Sequence, residues 1–526
     1  MARGSQLAKK TLIDTRKPGV KGDLLSALKS RITPEIVVGF VGPIASGVTT
    51  TSQELEKLIS ESYGYETNRI RLSELIEKNA DRVGIVAKTP TKVATRVEHL
   101  QRAGTALRQA FGAGYLAAKA IELISIGRGK SGFADEGLQN PNPRRLVHIV
   151  DSIKNEQEAE VFRLVYGSAF WLVGVFAPRT VRTDRLVKSG YSATEAATVI
   201  DRDEHEGPNH GQDVRETFYS SDYFVKNAGE SKDAIDPSIR RRLSAIFEDK
   251  IVTPTTDERG MAGAKQSAAA SACMSRQVGA VVVGRKGSIL GSGWNEVPKA
   301  GGGVYDGEEE LDARCFKYLN KNCRNDDRKD KLYVEIFNAL KPHLSQASEM
   351  QQVAAALRGT SVRSLIEYSR SVHAEMAAIV DVARSGRASL IDSTMYVTTF
   401  PCHNCARHIV ASGIARVVYV EPYPKSLAFE LHGDALVDGS LSDVANDMSS
   451  VGKARKVVVE PFQGVGPSRF FSVFLMRDER KENGKLKDQP ARSKLPADSE
   501  SLDAFATLEK RVVEHVANAE AEHETA

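Results

Sequence analysis

The chain has 526 residues, too many for one ordinary core and enough for two or three folded units at roughly 100–200 residues each. Hydrophobic residues make up 41% and charged residues 27%, which excludes wholesale disorder, and the 41 Gly and 19 Pro follow no fibre-like period. Lys and Arg total 72 against 68 acids, so a formal charge of +4 gives no general attraction to nucleic acid and leaves only a local basic patch open.

In chain order, residues 1–33 are polar and basic and read as a mobile lead-in without the apolar stretch of a secretory signal. The apolar run Ile36–Val41 has the character of a strand buried on both faces, as in parallel sheets. A glycine-rich turn follows, and then Leu55, Leu58 and Ile59 space out one apolar helix face. Similar apolar runs at 146–151 and 170–176 lead to the expectation of a three-layer α/β domain with a parallel sheet over 34–245. Residues 246–260 read as the linker.

From 255 to 475 a second α/β unit is expected. Its order is a helix (258–275), strands at 277–283 and 288–294, and a Gly- and charge-rich insertion near 300–330. A helix (372–384), a strand (394–400), a helix (402–412), a strand (415–420) and a last strand near 457–460 follow. Residues 476–526 are expected to be a charged linker, flexible over 477–500, and then a polar Glu/Ala-rich helix. No apolar run reaches the ~18 residues of a membrane span. All five cysteines (Cys273, Cys315, Cys323, Cys402, Cys405) lie in the second half, which fits a reducing compartment with local cysteine chemistry better than a disulfide framework. A cytoplasmic location, no membrane partner and a homo-oligomer are the expectations.

The turn Gly42-Pro43-Ile44-Ala45-Ser46-Gly47-Val48-Thr49 fits the phosphate-loop pattern G-x-x-x-x-G-K-[ST] between a strand and a helix, except that Val48 stands in the lysine's place. Gly42, Ser46, Gly47 and Thr49 are the candidate nucleotide-binding residues, through backbone N–H groups that cradle phosphates and a Thr49 hydroxyl that reaches Mg²⁺. Asp151, at the end of LVHIVD, resembles a Walker-B acid. Arg179, Arg182, Arg185 and Arg202 lie where nucleoside-kinase-like proteins carry phosphate-binding arginines. The missing lysine removes a charge-assisted contact of about 1.5–3 kcal/mol, so efficient phosphoryl transfer is not expected. A nucleotide triphosphate with Mg²⁺ is the candidate ligand; the alternative is an α/β domain whose glycines serve only the turn. Gly129-Lys130-Ser131 imitates the end of such a loop, but Ile124 stands where the first glycine belongs, so it reads as a surface loop.

The most specific pattern is His373-Ala374-Glu375 followed by Pro401-Cys402-His403-Asn404-Cys405. One imidazole and two thiolates, from His373, Cys402 and Cys405, supply three Zn²⁺ ligands and leave the fourth tetrahedral position for water, as in catalytic zinc sites. Zinc brings the pKa of its water toward about 7, and Glu375, close to a helix start, is the candidate catalytic proton carrier. The cysteines open a helix after Pro401, where free N–H groups and the positive dipole end favour thiolate. An isolated CxxC is also read as a redox pair or as half of a structural site; no second CxxC completes a four-cysteine site, and HxE lies on one helix with PCxxC at the head of the next. His403 is not expected to be a ligand. Cys273 reads as an ordinary buried small residue, and a second zinc site formed with Cys315 and Cys323 is the open alternative.

H-x-E…P-C-x-x-C is the signature of zinc deaminases. Residues 255–475 resemble the deoxycytidylate deaminase branch of the cytidine deaminase superfamily. The resemblance is carried by Ser275-Arg276-Gln277-Val278-Gly279-Ala280-Val281, Gly293-Trp294-Asn295-Glu296, HAEMAAI at 373–379 and MYVTTFPCHNCARHIVASGIARVVYVEPYP from 395. It implies a mixed five-stranded sheet in an α/β/α arrangement and hydrolysis of the cytosine C4 amine by water on zinc. Asn295 matches the family's deoxyribose-contacting asparagine, while Trp294 and Glu296 replace the Tyr and Gly of its GYNG motif.

With EPYPKS at 421–426, LHGD at 431–434 and GVGPSRFF at 464–471, a lysine-less P-loop-kinase-like domain fused to a deaminase domain resembles the bacterial anti-phage dCTP deaminases. That resemblance implies conversion of free dCTP and dCMP to uracil nucleotides, depletion of the deoxycytidine pool a phage needs, and control of the activity, in this family by a small RNA. Two alternatives stand beside it. A polynucleotide (tRNA or single-stranded DNA) deaminase would share the zinc site, and near-neutral charge disfavours it. A P-loop nucleotide sensor with a non-catalytic deaminase domain would not need the intact Glu375.

Overall fold

The computed structural model describes residues 24–85, 93–130, 143–205, 214–227, 236–308, 311–343, 349–386, 388–423, 425–440, 456–476, 479–487, 496 and 499–525. Residues 1–23 of the lead-in, Ser131, Pro424 of the EPYPKS run and much of 477–500 lie outside them. The architecture is mixed α/β, built on two six-stranded sheets.

The short strand β1 (Ile32–Thr33) precedes the first sheet. That sheet contains β2 (Ile36–Val41), β3 (Glu66–Arg71), β4 (Leu146–Asp151), β5 (Phe170–Phe176) and β6 (Tyr223–Lys226), all parallel, with β2 between β4 and β5. Every residue of β2 and β4 is buried because helices cover both faces. Alternation along β2 sends Ile36 and Val38 to one apolar cluster with Leu55, Trp171 and Phe247, and Val37 and Val41 to another with Leu116, Phe162 and Leu172.

The second sheet runs β11-β12-β10-β9-β7-β8, from β7 (Gly279–Val283), β8 (Ile289–Trp294), β9 (Thr394–Thr399), β10 (Arg416–Glu421), β11 (Leu436–Asp438) and β12 (Val457–Pro461). The pairings of β7 with β8 and β9 are antiparallel and the others parallel, so the sheet is mixed as expected. It has six strands rather than five. The extra one, β11, pairs with β12 because Leu436 is buried in the same apolar cluster as Val457 and Val459. The helix Thr256–Ala268 lies over one face, and on the other the helices Ala374–Ser385 and His403–Ala411 pack into the cluster that holds Ala280 and Met395. The first of these ends well before the expected Ser275. The Ser271 hydroxyl donates to the Asn295 carbonyl at 2.7 Å and the Ala272 N–H to Glu296 Oε2 at 2.8 Å, which draw the chain off the helix axis.

The units interleave. β13 (Gly464–Val465), from the GVGPSRFF run, adds antiparallel to β6 at the edge of the first sheet. Buried Glu258 ties this junction together: it accepts from the Val465 N–H at 2.9 Å, from its own N-cap Thr255 at 2.8 Å and from Arg241 at 2.9 and 2.8 Å. A carboxylate that deep needs such partners.

Of the described parts of both ends, residues 32–33 and 500–525 pack on the first unit, and the expected C-terminal helix is present. After the helix Leu24–Lys29, β1 pairs antiparallel with Glu500–Ser501, and the helix Leu502–Thr525 lies along the helix Tyr115–Lys130. Its Glu/Ala-rich composition hides a buried stripe of Leu502, Phe505, Ala506 and Val516. Arg128, 2% exposed, bridges Glu509 at 2.9 Å and Glu35 at 2.5 Å, and the Tyr115 hydroxyl donates to Glu520 at 2.7 Å. Among the described residues no single helix is long and apolar enough to cross a membrane.

Candidate metal centre and active site

His373 is the N-cap of the helix Ala374–Ser385, and Cys402 the N-cap of His403–Ala411. The first of these helices presses on β8 at Gly293, where an added Cβ would fall 2.3 Å from the Ala378 nitrogen and 2.5 Å from the Ala374 carbonyl oxygen. Only glycine permits that approach. β9 delivers Pro401 and the cysteines to the same end of the sheet.

The donor atoms of His373, Cys402 and Cys405 gather within 4.8 Å of one another, with His373 Nδ1 at 3.3 Å from Cys402 Sγ and 3.4 Å from Cys405 Sγ. The Cys405 N–H, in the first helical turn, donates to Cys402 Sγ at 3.4 Å. The hydrogen bond with Cys405 draws the Cys402 thiol down to about 4, against burial and with help from His373. The hydrogen bond with Cys402 lifts the His373 imidazole to about 9, and the same sharing, together with burial, pushes the Cys405 thiol up. Protons on the imidazole and on one thiol balance the buried sulfurs, and a divalent cation replaces such protons when it binds. Two thiolates and one imidazole fit zinc. His403 is not part of the cluster, and among the described residues Cys273, Cys315 and Cys323 form no second one.

Glu375 lies in the first turn after His373, 4% exposed and outside the donor set, and burial raises its carboxyl pKa. Both residues line a cavity of ≈ 200 Å³. Asn295 is in its wall, but its carboxamide also binds backbone: Oδ1 accepts from the Val278 N–H at 2.7 Å and Nδ2 donates to the Arg276 carbonyl at 2.8 Å. It thus shapes the loop 276–278. Glu296, 1% exposed, is held by the Ala272 and Val297 N–H groups, at 2.8 and 2.9 Å.

Sequence reasoning assigned no role to Arg276, Arg324, Arg370 or Tyr423, all of which line this cavity. Arg276 belongs to the run Ser275–Val281, where a cation next to the glycine strand is the sequence signal. Arg324 and Arg370 come from the insertion and from the segment before His373, and nothing local marks them.

The phosphate-loop candidates lie apart from this cavity, and none of them lines it. Gly47, at φ 85°, caps the helix Val48–Tyr63, and the Asn227 amide donates to its carbonyl at 3.3 Å. Gly42 and Ser46 are buried and Thr49 is exposed in the first turn. Asp151 is 3.5 Å from Arg69. Arg185 donates to the Ala45 carbonyl at 3.0 Å, Arg182 is buried, and Arg179 pairs with Asp201 on the surface. Arg202 lies on the helix Ala193–His205, its side chain outside what is described.

A cluster of one half-buried histidine and two buried cysteines with an adjacent glutamate at the end of a mixed sheet defines a zinc-binding site of the deaminase type. Residues 254–421 match the family model described as the cytidine and deoxycytidylate deaminase zinc-binding region. The deoxycytidylate deaminases of Enterobacteria phages T2 and T4 are each 33% identical over 156 residues, 30% of this chain and 74% and 72% of theirs. The chain belongs to the deoxycytidylate deaminase family. Among solved structures, the dCMP deaminase of cyanophage S-TIM5 in complex with dCMP and dUMP is 22% identical, with 40% of this chain and 99% of that one covered at a TM-score of 0.21.

Proposed function

We propose that the protein hydrolyses the C4 amine of free deoxycytidine nucleotides, dCTP and dCMP, giving dUTP and dUMP. The observation that carries this reading is the half-buried His373 gathered with the buried Cys402 and Cys405, with Glu375 beside them, in a cavity also lined by Arg276, Arg324 and Arg370. Zinc held by the three donors supplies Lewis-acid activation of water. Glu375 takes up and returns a proton from its buried position, where burial raises its carboxyl pKa and so favours the protonated, donating form. The guanidinium groups suit a phosphate chain, since arginine binds phosphate through paired N–H donors. Asn295, in the cavity wall, is assigned the deoxyribose contact on the family resemblance.

The resemblance of the two-part chain to anti-phage dCTP deaminases supports depletion of the deoxycytidine pool as the purpose, with a small RNA as a regulatory partner. The Gly42–Thr49 loop is proposed to hold a nucleotide triphosphate with Mg²⁺. Its support is position: it leaves the carboxyl end of β2, whose neighbours β4 and β5 lie on opposite sides, the switch point where α/β sheets bind ligands.

Mass spectrometry of products after incubation with dCTP, dCMP, CTP and single-stranded DNA tests the proposal. Uracil in the free deoxynucleotides is expected. Uracil appearing only in DNA would refute it.

A further inference from the structure

A carboxylate already sits in the phosphate loop of the first sheet. The backbone N–H of Ile44 donates to Asp203 Oδ2 at 2.6 Å, while Asp203 Oδ1 lies 3.4 Å from Lys154 Nζ. The same ammonium donates to the carbonyl of Gly42, the first glycine of the loop, at 2.8 Å. Asp203 is 2% exposed on the helix Ala193–His205, so the loop, the segment after β4 and this helix meet at one buried charge.

A further observation marks the loop as a place for a polar ligand atom. Ser46 is fully buried and its hydroxyl oxygen has no hydrogen-bond partner among the described residues. That oxygen lies 2.5 Å from where a side chain on Gly42 would begin, so it points into the turn. A buried hydroxyl left unpaired is uncommon and calls for an acceptor or donor that is not yet there. The side chain at position 48, where the pattern wants lysine, is a valine packed against the apolar cluster of β2 and β5.

A phosphoryl oxygen asks for the same partners as the Asp203 carboxylate, a backbone N–H and a nearby ammonium. We propose that Lys154 supplies the cation that Val48 does not, and that Asp203 is an internal stand-in for phosphate, which a polyphosphate chain displaces when it binds. This rests on the reading of Gly42–Thr49 as a phosphate site. A tethered competitor lowers apparent affinity by the fraction of time the loop is open, so the loop is a guarded site that only a strongly anionic ligand opens.

The test is isothermal titration of the full-length, zinc-loaded protein with inorganic tripolyphosphate and Mg²⁺ at fixed ionic strength, with zinc content and circular dichroism as checks of folding. Asp203→Asn is expected to bind at least tenfold more tightly than wild type, about 1.4 kcal/mol. Asp201→Asn, a charge change on the same helix but on the surface, is expected to stay within threefold. Lys154→Met is expected to bind at least tenfold more weakly. If that variant does not fold, Lys154→Met with Asp203→Asn keeps the site neutral and is compared with Asp203→Asn alone.

Equal affinities for Asp203→Asn and Asp201→Asn, or no loss on removing Lys154, would overturn the inference. If those results came with binding abolished by Gly47→Val, the loop would remain a phosphate site without this exchange. No binding by either wild type or Asp203→Asn would overturn both readings. A repeat with ATP separates the two sources of a phosphate chain: tighter binding than tripolyphosphate assigns a nucleotide, and equal binding assigns the chain alone, the Asp203 exchange standing in either case.

Discussion

Replacing Glu375 with Gln keeps the size of a side chain that is 4% exposed and removes its ability to carry a proton. The carboxyl is not among the three gathered donors, so zinc content is expected to stay at the wild-type level. Burial raises the carboxyl's pKa and favours its protonated, donating form, and an amide can neither take up nor release that proton. Proton transfer by a placed side chain contributes about 10²–10⁴-fold. The expected fall in kcat is therefore in that range, about 2.7–5.4 kcal/mol of barrier at about 1.36 kcal/mol per decade. The assay is chromatographic measurement of uracil nucleotide formed from dCMP and dCTP, with metal analysis of the same preparation. Gln is preferred to Ala because it opens no cavity beside His373. A variant that retains its zinc and turns over within tenfold of wild type would refute the assignment of Glu375 as the proton carrier.

Other consequences are open to direct measurement. Cys405→Ser replaces a buried thiolate donor with a harder oxygen, and zinc is expected to fall well below one per chain; full stoichiometry with full turnover would remove the three-donor site. Arg128→Met leaves the buried carboxylates of Glu35 and Glu509 facing each other without their cation, a cost of about 3–5 kcal/mol. That corresponds to a melting temperature lower by roughly 6–20 °C, and an unchanged melt would show that the clasp on the C-terminal helix contributes nothing. His148 is held down to about 3 by burial, with the charges of Arg128 and Arg144 assisting, against an ordinary value of 6.5. Between those values the unfolded chain takes up a proton that the folded chain refuses. Stability is thus full above pH 6.5 and is lost as pH falls toward 3, at up to ~1.4 kcal/mol per unit from this group. Denaturant titrations of wild type and His148→Asn at pH 7 and pH 5 check it, and identical losses on acidification would count against it.

The metal site was legible in the sequence because each half of it is local. His373 and Glu375 are two positions apart at one helix start, and Cys402 and Cys405 share the first turn of another. Spacing within a turn determines which side chains share a helix face, so these patterns survive without knowledge of the fold. Three strands of the first sheet, Ile36–Val41, Leu146–Asp151 and Phe170–Phe176, were legible for a similar reason, since burial on both faces makes each a continuous apolar run, whereas the polar, half-exposed Glu66–Arg71 carries no such signal.

What only the tertiary structure decided are contacts between distant segments. The carboxylate on the Ile44 N–H comes from Asp203, the ammonium at Gly42 comes from Lys154, and the sixth strand of the first sheet comes from Gly464–Val465. The C-terminal helix looks like a solvated tail until Phe505, Val516 and Glu509 meet the helix that carries Arg128. Composition could report that acids and bases are nearly equal in number, but a charge is costly or useful only according to what is buried beside it, and that depends on how the chain returns on itself.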